Sequence, residues 1–173
     1  MDWNLGDTQL ILKTCRKYGL SDEHTAYVLA TAYHETAHTM KPVREAYWLG
    51  EEWRRVNLRY YPWYGRGYVQ LTWEGNYEHA GEMLGLDLTT DADVVMEPKI
   101  AADVLVRGMQ DGWFTGKAMR GYSNFVGMRR VVNGTDKANL IAGYADQYLA
   151  EMPPRGFDWA GLIEAIMGVF KRD

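Results

Sequence analysis

The spacing of apolar and polar residues predicts a chain that is mostly helical. Ser21 followed by Asp22 and Glu23 has the pattern of an N-cap with acids in the first helical turn. Apolar residues recur at helical spacing behind it, so we expect a helix over 22–37. The same signals predict helices over 74–84 (ending at Gly85), from Pro98 onward, over 135–149 and over 158–171.

The middle of the chain follows another pattern. Residues 40–66 lack a helical period and are rich in turn formers and aromatics. The alternation in Tyr68-Val69-Gln70-Leu71-Thr72 predicts a short strand. The expected architecture is therefore one mainly α-helical domain over 1–173 with a small β element in its middle.

The last predicted helix, 158–171, is amphipathic. Its apolar stripe consists of Trp159, Leu162, Ile163, Ile166, Met167 and Phe170. We expect this stripe to pack on the rest of the domain. Binding to a membrane surface is the alternative, but the segment has few of the basic residues that it would need.

Composition excludes several classes of protein. The chain has 173 residues, one cysteine and a net charge of −4, so neither a disulfide scaffold nor a zinc site built on several cysteines is expected. Cys15 lies in a helix-like run and is predicted to be a small core residue. No signal peptide is expected at the start, and no apolar run is long enough for stable membrane insertion. An acidic chain is also a poor general partner for nucleic acid.

Charge is unevenly distributed along the sequence. Residues 41–66 and 107–137 carry a net positive charge, whereas 74–103 carry eight acids and one lysine. A basic face on an acidic body would suit an anionic polymer. Scattered solvated faces are the alternative interpretation.

Tryptophan and tyrosine are concentrated in one segment. Ten of the chain's nineteen Trp and Tyr residues lie within 47–77. Amphipathic aromatics of this kind present flat faces with polar tips, so the composition favours a binding cleft over a corner of the core.

The pentapeptide His34-Glu35-Thr36-Ala37-His38 allows two interpretations. On a continuous helix, histidines four residues apart share a face and can bind zinc, with the glutamate as general base. A metallopeptidase of this kind needs a third ligand, for which His79 and Glu52 are candidates.

The second interpretation makes Glu35 the general acid of a glycosidase. An apolar surround formed by Tyr33, Tyr47 and Trp48 would raise the pKa of its carboxyl, as a general acid requires at neutral pH. Glycoside hydrolysis also needs a second carboxylate. Glu45, Glu51 and Glu52 lie in the loop that follows.

Three motifs favour the second interpretation through a family resemblance. They are the segments Tyr33–Thr39, Tyr64–Trp73 with Asn76-Tyr77, and Arg129–Asp136. In these motifs the chain resembles the chitinases of glycoside hydrolase family 19, and still more the shortened phage and prophage endolysins of that group. The resemblance covers about 22–150.

This resemblance implies a lysozyme-like fold, in which two mainly helical lobes and a small β element line a substrate cleft. It implies an inverting reaction with Glu35 as general acid and Glu45 as general base, Glu51 and Glu52 remaining alternatives. Thr72 matches a residue that helps to hold the attacking water. The implied substrate contacts are Gln70, Asn76 and Asn133, and Arg66 would either hold the surroundings of the acid or contact the substrate. The motifs do not say which aromatic rings touch sugar, and we expect Trp48, Trp63 and Tyr64 to do so.

Other interpretations of these residues remain. Gly65-Arg66-Gly67 is equally consistent with a tight turn that carries a buried ion pair. Trp73 and Tyr77 flank the next predicted helix and fit the core.

The resemblance also implies a substrate and a setting. We expect a monomeric endolysin, without cofactor or metal, that cleaves β-1,4 amino-sugar linkages of bacterial peptidoglycan and so lyses the cell. Chitin is the alternative substrate. Such a protein would be made in the host bacterial cytoplasm and would reach the wall after the membrane is breached with the help of a holin.

Overall fold

The computed structural model describes residues 1–156, and the predicted helix over 158–171 lies outside them. Seven α-helices and two short strands follow one another in this part of the chain. They are α1 (Thr8–Lys17), α2 (Asp22–Glu35), β1 (Val43–Arg44), α3 (Glu51–Asn57), β2 (Arg66–Gly67), α4 (Glu74–Leu84), α5 (Pro98–Asp111), α6 (Phe125–Met128) and α7 (Ala138–Ala150). Short 3₁₀ turns span Ala92–Met96, Met119–Gly121 and Arg129–Val131.

Helix α2 is the centre of the fold. It packs chiefly against α7 and also against α1 and α5. Its residues 25–32 are all buried, so this part of the helix has no solvent-exposed face. The free Cys15 of α1 is fully buried in the same core, as predicted.

Local sequence signals set most helix ends. The Ser21 hydroxyl accepts a hydrogen bond from the His24 backbone N–H and caps α2 as predicted. Gly85 ends α4 in the left-handed conformation, with φ of 70°. Pro98 stands in the first turn of α5, where no intrahelical N–H partner is required.

Two predicted ends are wrong by two or three residues. Helix α2 stops at Glu35 because the backbone turns left-handed at Ala37 and His38. Helix α7 begins at Ala138 because Lys137, with φ of 56°, interrupts the helical backbone before it.

The strand predicted over 68–72 is wrong. The sheet pairs β1 with β2 in antiparallel register, with Val43 opposite Gly67 and Arg44 opposite Arg66. After β2 the backbone turns left-handed at Gln70, so Leu71 folds back and exchanges two hydrogen bonds with Arg66. The apolar alternation therefore belongs to a tight buried turn.

Helix α3 was not predicted, and its burial pattern explains why. Arg54 is its one buried residue, so the segment has no apolar stripe for a periodicity analysis to detect. Within residues 1–156, no helix combines the length and the apolar character needed to cross a membrane.

Candidate active site

Glu35 is held by a buried cation. It is the last residue of α2, and its Oε1 accepts a hydrogen bond of 2.7 Å from Nη1 of Arg129. The Arg129 side chain is 2 % exposed and that of Glu35 is 19 % exposed. The Nε of Arg129 donates to the backbone carbonyl of Asp136, which fixes the guanidinium from behind. A buried cation requires such partners because desolvation of an unpaired charge is costly.

The sequence did not single out Arg129 as this partner. It precedes Arg130, which is exposed, and nothing in the sequence distinguishes the two arginines. The neighbouring loop is close as well, since the backbone N–H of the exposed Asn133 donates to the Arg129 carbonyl.

The predicted apolar surround of Glu35 is wrong. Tyr47 and Trp48 are 61 % and 71 % exposed, so they do not enclose a carboxyl. Tyr33 stacks on His38 with ring centroids 4.4 Å apart. The environment of Glu35 is therefore set by an arginine.

The zinc interpretation also fails on geometry. His38 lies beyond the end of α2, its φ is 66°, and its Nε2 is 3.4 Å from the Tyr144 hydroxyl, so His34 and His38 do not share a helical face. His79 packs edge-on against a tryptophan ring, and Glu52 is paired with an arginine. Burial lowers the pKa of His34, against the opposing effect of Glu35. Residues 1–156 bring no three His, Cys, Asp or Glu side chains together in a metal-binding cluster.

Glu45 is held by neutral donors. Its Oε1 accepts a hydrogen bond of 2.6 Å from the Tyr60 hydroxyl, and its Oε2 accepts one of 3.0 Å from the Gly65 backbone N–H. Burial, followed by the hydrogen bond to Glu45, raises the pKa of Tyr60 to about 12, so this hydroxyl remains a donor at neutral pH.

The backbone of Glu45 is fixed as well. Its N–H donates to the Gly65 carbonyl at 2.7 Å, and its own carbonyl accepts from Nε of the buried Arg54 at 2.8 Å. Arg54 also donates to the Ala46 carbonyl, and so the unpredicted helix α3 anchors the loop that carries Glu45.

The other two candidates for the second carboxylate are engaged elsewhere. Glu51 pairs with Arg54 at 3.0 Å and accepts from the Tyr64 hydroxyl. Glu52 is 73 % exposed and pairs with Arg55 along the surface of α3.

Gln70, Thr72 and Asn76 form a chain of contacts that begins at Gly65. A Cβ at Gly65 would lie 2.7 Å from Oε1 of Gln70, so a larger residue there would displace the end of the Gln70 side chain, next to the N–H that serves Glu45. The Thr72 hydroxyl donates to the Gln70 carbonyl at 2.8 Å. The Asn76 side-chain amide donates to the Thr72 carbonyl at 2.7 Å.

Arg66 forms a buried ion pair in a tight turn, which is the second of the two interpretations of Gly65-Arg66-Gly67. Its side chain is 5 % exposed, and its Nε pairs with Asp93 at 2.8 Å. Its Nη1 donates to the Tyr77 hydroxyl and to the carbonyls of Pro62 and Tyr64. A guanidinium engaged in this way stabilises the turn and is not oriented toward a substrate.

The aromatic segment divides into a buried part and an exposed part. Tyr64 is 1 % exposed with its ring against Arg66, so the prediction that it stacks on sugar is wrong. Tyr77 lies in the core as expected, but Trp73 is 45 % exposed, contrary to its predicted core position. Trp63 is half-buried.

Trp48 and Tyr47 are the most exposed aromatics of the segment. Their rings meet edge-to-face with centroids 5.1 Å apart. Tyr47 also lines an open pocket of about 590 Å³, together with Arg44, Glu51 and Asp93. Flat aromatic faces beside polar groups are suited to sugar rings.

Comparisons with known proteins agree with this architecture. The chain resembles chitinase C from Streptomyces griseus, with a TM-score of 0.63 and 21 % identity over 85 % of this chain and 71 % of that one. It also resembles a bacterial family 19 chitinase, with a TM-score of 0.64 and 22 % identity over 87 % of this chain and 89 % of that one. The lysozyme-like, mainly helical fold is therefore confirmed.

Local matches to plant proteins are stronger in identity but short. Chitinase 11 of Oryza sativa subsp. japonica is 49 % identical over 41 residues, which is 24 % of this chain and 16 % of the rice protein. Chitinase 8 of the same plant is 43 % identical over 53 residues, 31 % of this chain and 18 % of that protein. The matches thus span less than a fifth of these curated relatives.

The family itself is shown by its profile. The profile described as chitinase class I, glycoside hydrolase family 19, matches residues 25–134. This range includes Glu35, Glu45 and Arg129, and it covers more than half of the chain. The chain therefore belongs to glycoside hydrolase family 19.

Proposed function

We propose that this protein hydrolyses β-1,4 linkages in amino-sugar polymers, with Glu35 as general acid and Glu45 as general base. The observation that carries this proposal is the separate anchoring of the two carboxyls, one by Arg129 and the other by Tyr60 and Gly65. A pair of carboxyls with distinct environments is what glycoside hydrolysis requires. Membership of a glycosidase family supports this class of reaction.

The general acid must donate a proton to the leaving glycosidic oxygen. Oε1 of Glu35 faces Arg129, while Oε2 makes no hydrogen bond within residues 1–156 and can carry the proton. When that proton leaves, Glu35 becomes an anion 2.7 Å from a buried guanidinium. Arg129 therefore stabilises the charge that develops on the acid and also fixes its position.

The general base must be ionised when it activates water. Both oxygens of Glu45 accept hydrogen bonds, a pattern that an ionised carboxylate satisfies fully. In the inverting reaction, water lies between the base and the sugar, which requires carboxyls roughly 6.5–9.5 Å apart. Ionised Glu45 would also stabilise the positive charge of the oxocarbenium-like transition state.

Thr72 is suited to orient the attacking water. Its hydroxyl hydrogen is directed to the Gln70 carbonyl, so its oxygen can accept a hydrogen bond from water. Asn76 keeps its amide oxygen for substrate because its NH₂ group is held by the Thr72 carbonyl. We assign Asn133 and Trp48, both exposed, to substrate contact.

Two polymers fit the proposal because both contain β-1,4-linked N-acetylglucosamine. The names of the related proteins favour chitin. The charge pattern that suggested an anionic substrate is weaker in the folded chain, since Arg44 and Arg66 of the basic stretch both pair with Asp93 of the acidic one.

Peptidoglycan remains the second candidate because the sequence motifs resemble those of family 19 endolysins. For this candidate we propose action on the bacterial wall after a holin-type partner breaches the membrane. The two substrates differ at alternate sugars, where peptidoglycan carries a lactyl ether and a peptide.

Parallel digestion tests the proposal. Purified peptidoglycan and chitin oligomers are incubated with wild-type protein and with Glu35→Gln, and fragments are identified by mass and reducing end. New reducing ends with the wild type alone support the proposal and identify the polymer. Released amino groups without reducing ends would contradict it and indicate a peptidase or amidase.

A further inference from the structure

Trp73 has a backbone conformation that tryptophan rarely adopts. It stands between Thr72 and helix α4, with φ of 77° and ψ of 137°. Glycine takes a positive φ freely, whereas a residue with a bulky side chain is strained there because its Cβ crowds the backbone. Strain of this kind persists only where the surrounding structure fixes the residue, and it is concentrated at functional sites. The contacts that hold Trp73 therefore point to what it does.

The position of Trp73 at the start of α4 does not account for a tryptophan. Small polar residues are preferred at a helix N-cap because their side chains accept a hydrogen bond from the first turn. Within residues 1–156, the Trp73 side chain makes no capping hydrogen bond to α4. A tryptophan at this place is thus unfavourable both for the backbone and for the helix end, and its ring is what it adds.

Backbone hydrogen bonds join Trp73 to the loop that carries Tyr60. The Trp73 N–H donates to the Trp63 carbonyl at 2.9 Å, and the Trp63 N–H donates to the Tyr60 carbonyl at 2.8 Å. On the other side, the Trp73 carbonyl accepts from the N–H groups of Asn76 and Tyr77, at 3.0 and 3.2 Å. Trp73 is therefore fixed between this loop and the first turn of α4.

The indole of Trp73 packs on the ring of Tyr60. The two ring centroids are 4.8 Å apart and the planes are inclined by 59°. The guanidinium of the exposed Arg59 lies over the same indole, 5.0 Å from its centroid. Trp73 remains half-exposed, so its ring covers the Tyr60 loop and is not inserted into the core.

Tyr60 carries this packing to the proposed base. Its hydroxyl donates to Oε1 of Glu45 at 2.6 Å. A hydrogen bond weakens steeply when its distance or angle changes, so the bond to Glu45 depends on the orientation of the Tyr60 ring. The contacts thus form a continuous path from the Trp73 indole through the Tyr60 phenol to the Glu45 carboxyl.

We propose that Trp73 is a positioning residue for Glu45 that acts through Tyr60. The indole holds the phenol ring in the orientation in which its hydroxyl donates to the carboxyl, and the strained backbone at Trp73 places the indole there. The inference rests on the proposed role of Glu45 as general base. It gives one aromatic residue of the 47–77 segment a role other than stacking on sugar.

The test is a double-mutant cycle between Trp73 and the Tyr60 hydroxyl. Trp73→Gly, Tyr60→Phe and the double variant are compared with the wild type by kcat and KM on chitin oligomers, per mole of folded protein. Glycine accepts the positive φ without strain and is tolerated at an N-cap, so Trp73→Gly removes the ring while the backbone keeps its path.

We expect Trp73→Gly to lower kcat about three- to tenfold with KM changed less than about twofold, because misplacement of a catalytic group affects chemistry more than binding. The double variant should have the kcat of Tyr60→Phe to within about twofold, since no hydroxyl is left to position. Trp73→Phe keeps an aromatic ring against Tyr60 and should recover most of the wild-type kcat.

Trp113→Leu is the matched control and should retain the wild-type kcat. The Trp113 ring also lies under an arginine, with the Arg107 guanidinium 5.3 Å from its centroid. It packs against His79, however, and not against Tyr60.

A wild-type kcat in Trp73→Gly would overturn the proposal, and a raised KM with an unchanged kcat would make Trp73 a substrate contact instead. Independent effects, in which the two single losses multiply in the double variant, would show that Trp73 does not act through the Tyr60 hydroxyl. A kcat of Trp73→Phe as low as that of Trp73→Gly would contradict the role of the ring. Glu45→Gln, measured in parallel, separates the two levels: if it stays active the function assigned to Glu45 fails, and if it is inactive only the positioning role is in question.

Discussion

Glu35 and Glu45 are held in opposite ways. Glu35 stands at the end of a rigid helix and contacts a buried cation with one oxygen. Glu45 lies in a loop, and both of its oxygens accept hydrogen bonds from neutral groups. In the proposed mechanism, the first arrangement would compensate a charge that appears during the reaction, and the second would orient a charge that is present before it. The comparison thus assigns each environment to one of the two roles that we propose for the carboxyls.

The largest effect is expected when the base is removed. Glu45→Gln keeps the size of the side chain but cannot take a proton from water, so kcat should fall by about 100- to 10,000-fold. The fall in kcat is measured by the release of reducing ends from chitin oligomers. Glu52→Gln is the control on the same stretch, because this exposed residue pairs with Arg55 on the surface of α3. If Glu52→Gln were inactive and Glu45→Gln active, the assignment of the base would be wrong.

The next effect concerns the cation behind the acid. Arg129→Lys keeps the positive charge but loses the geometry that holds both Glu35 and the Asp136 carbonyl, and we expect kcat to fall about 10- to 100-fold. Arg130→Lys changes the exposed neighbour in the same way and should behave as the wild type. Equal activity of the two variants would show that the geometry of the Arg129 guanidinium is not needed to hold Glu35 for catalysis.

A smaller effect is expected at the donor to Glu45. Tyr60→Phe removes one hydrogen bond to a charged group and should lower kcat about tenfold, consistent with a loss of about 1.5 kcal/mol. Tyr61→Phe is the adjacent control, and its half-buried ring stacks on Tyr64. A rise in KM with an unchanged kcat would contradict the orienting role of Tyr60.

The smallest effect concerns the stability of the tight turn around Arg66, which Asp93 supports. Burial alone would raise the pKa of Asp93, but hydrogen bonds from Arg44 and Arg66 outweigh it and hold the pKa below its usual value. The stability that Asp93 contributes is therefore present above about pH 4 and is lost as pH falls below it. The melting temperature of Asp93→Asn should be lower at neutral pH and should decline less in acid than that of the wild type. Asp146→Asn, at an exposed position of α7, should keep the wild-type slope, and parallel slopes for all three proteins would refute the assignment.

Helices with clear local signals at their ends could be predicted from the sequence, whereas a helix that lacks such signals could not. Ser21, Gly85 and Pro98 mark helix ends by chemistry that acts within one turn, and all three were identified correctly. Helix α3 was not predicted because its one buried residue is an arginine, Arg54, and not an apolar side chain. The strand prediction at 68–72 was wrong because the left-handed conformation of Gln70 reverses the chain there.

The site was predictable only in part, and for a related reason. The candidate carboxylates could be read from the motifs, but their partners come from distant segments. Arg129 is 94 positions from Glu35 in the sequence. Nothing in the sequence distinguishes Tyr60 from the neighbouring tyrosines, and only the folded structure shows that its hydroxyl donates to Glu45. Long-range pairings of this kind depend on tertiary packing, which residue spacing does not encode.

The configuration of the first product tests the two-carboxylate account most directly. Proton NMR of a chitin oligomer digest, recorded before mutarotation, distinguishes the two anomers at the new reducing end. Single displacement by a water molecule activated by Glu45 predicts the α-anomer at early times. A β-anomer would mean retention through a covalent or substrate-assisted intermediate, and it would contradict the role assigned to Glu45.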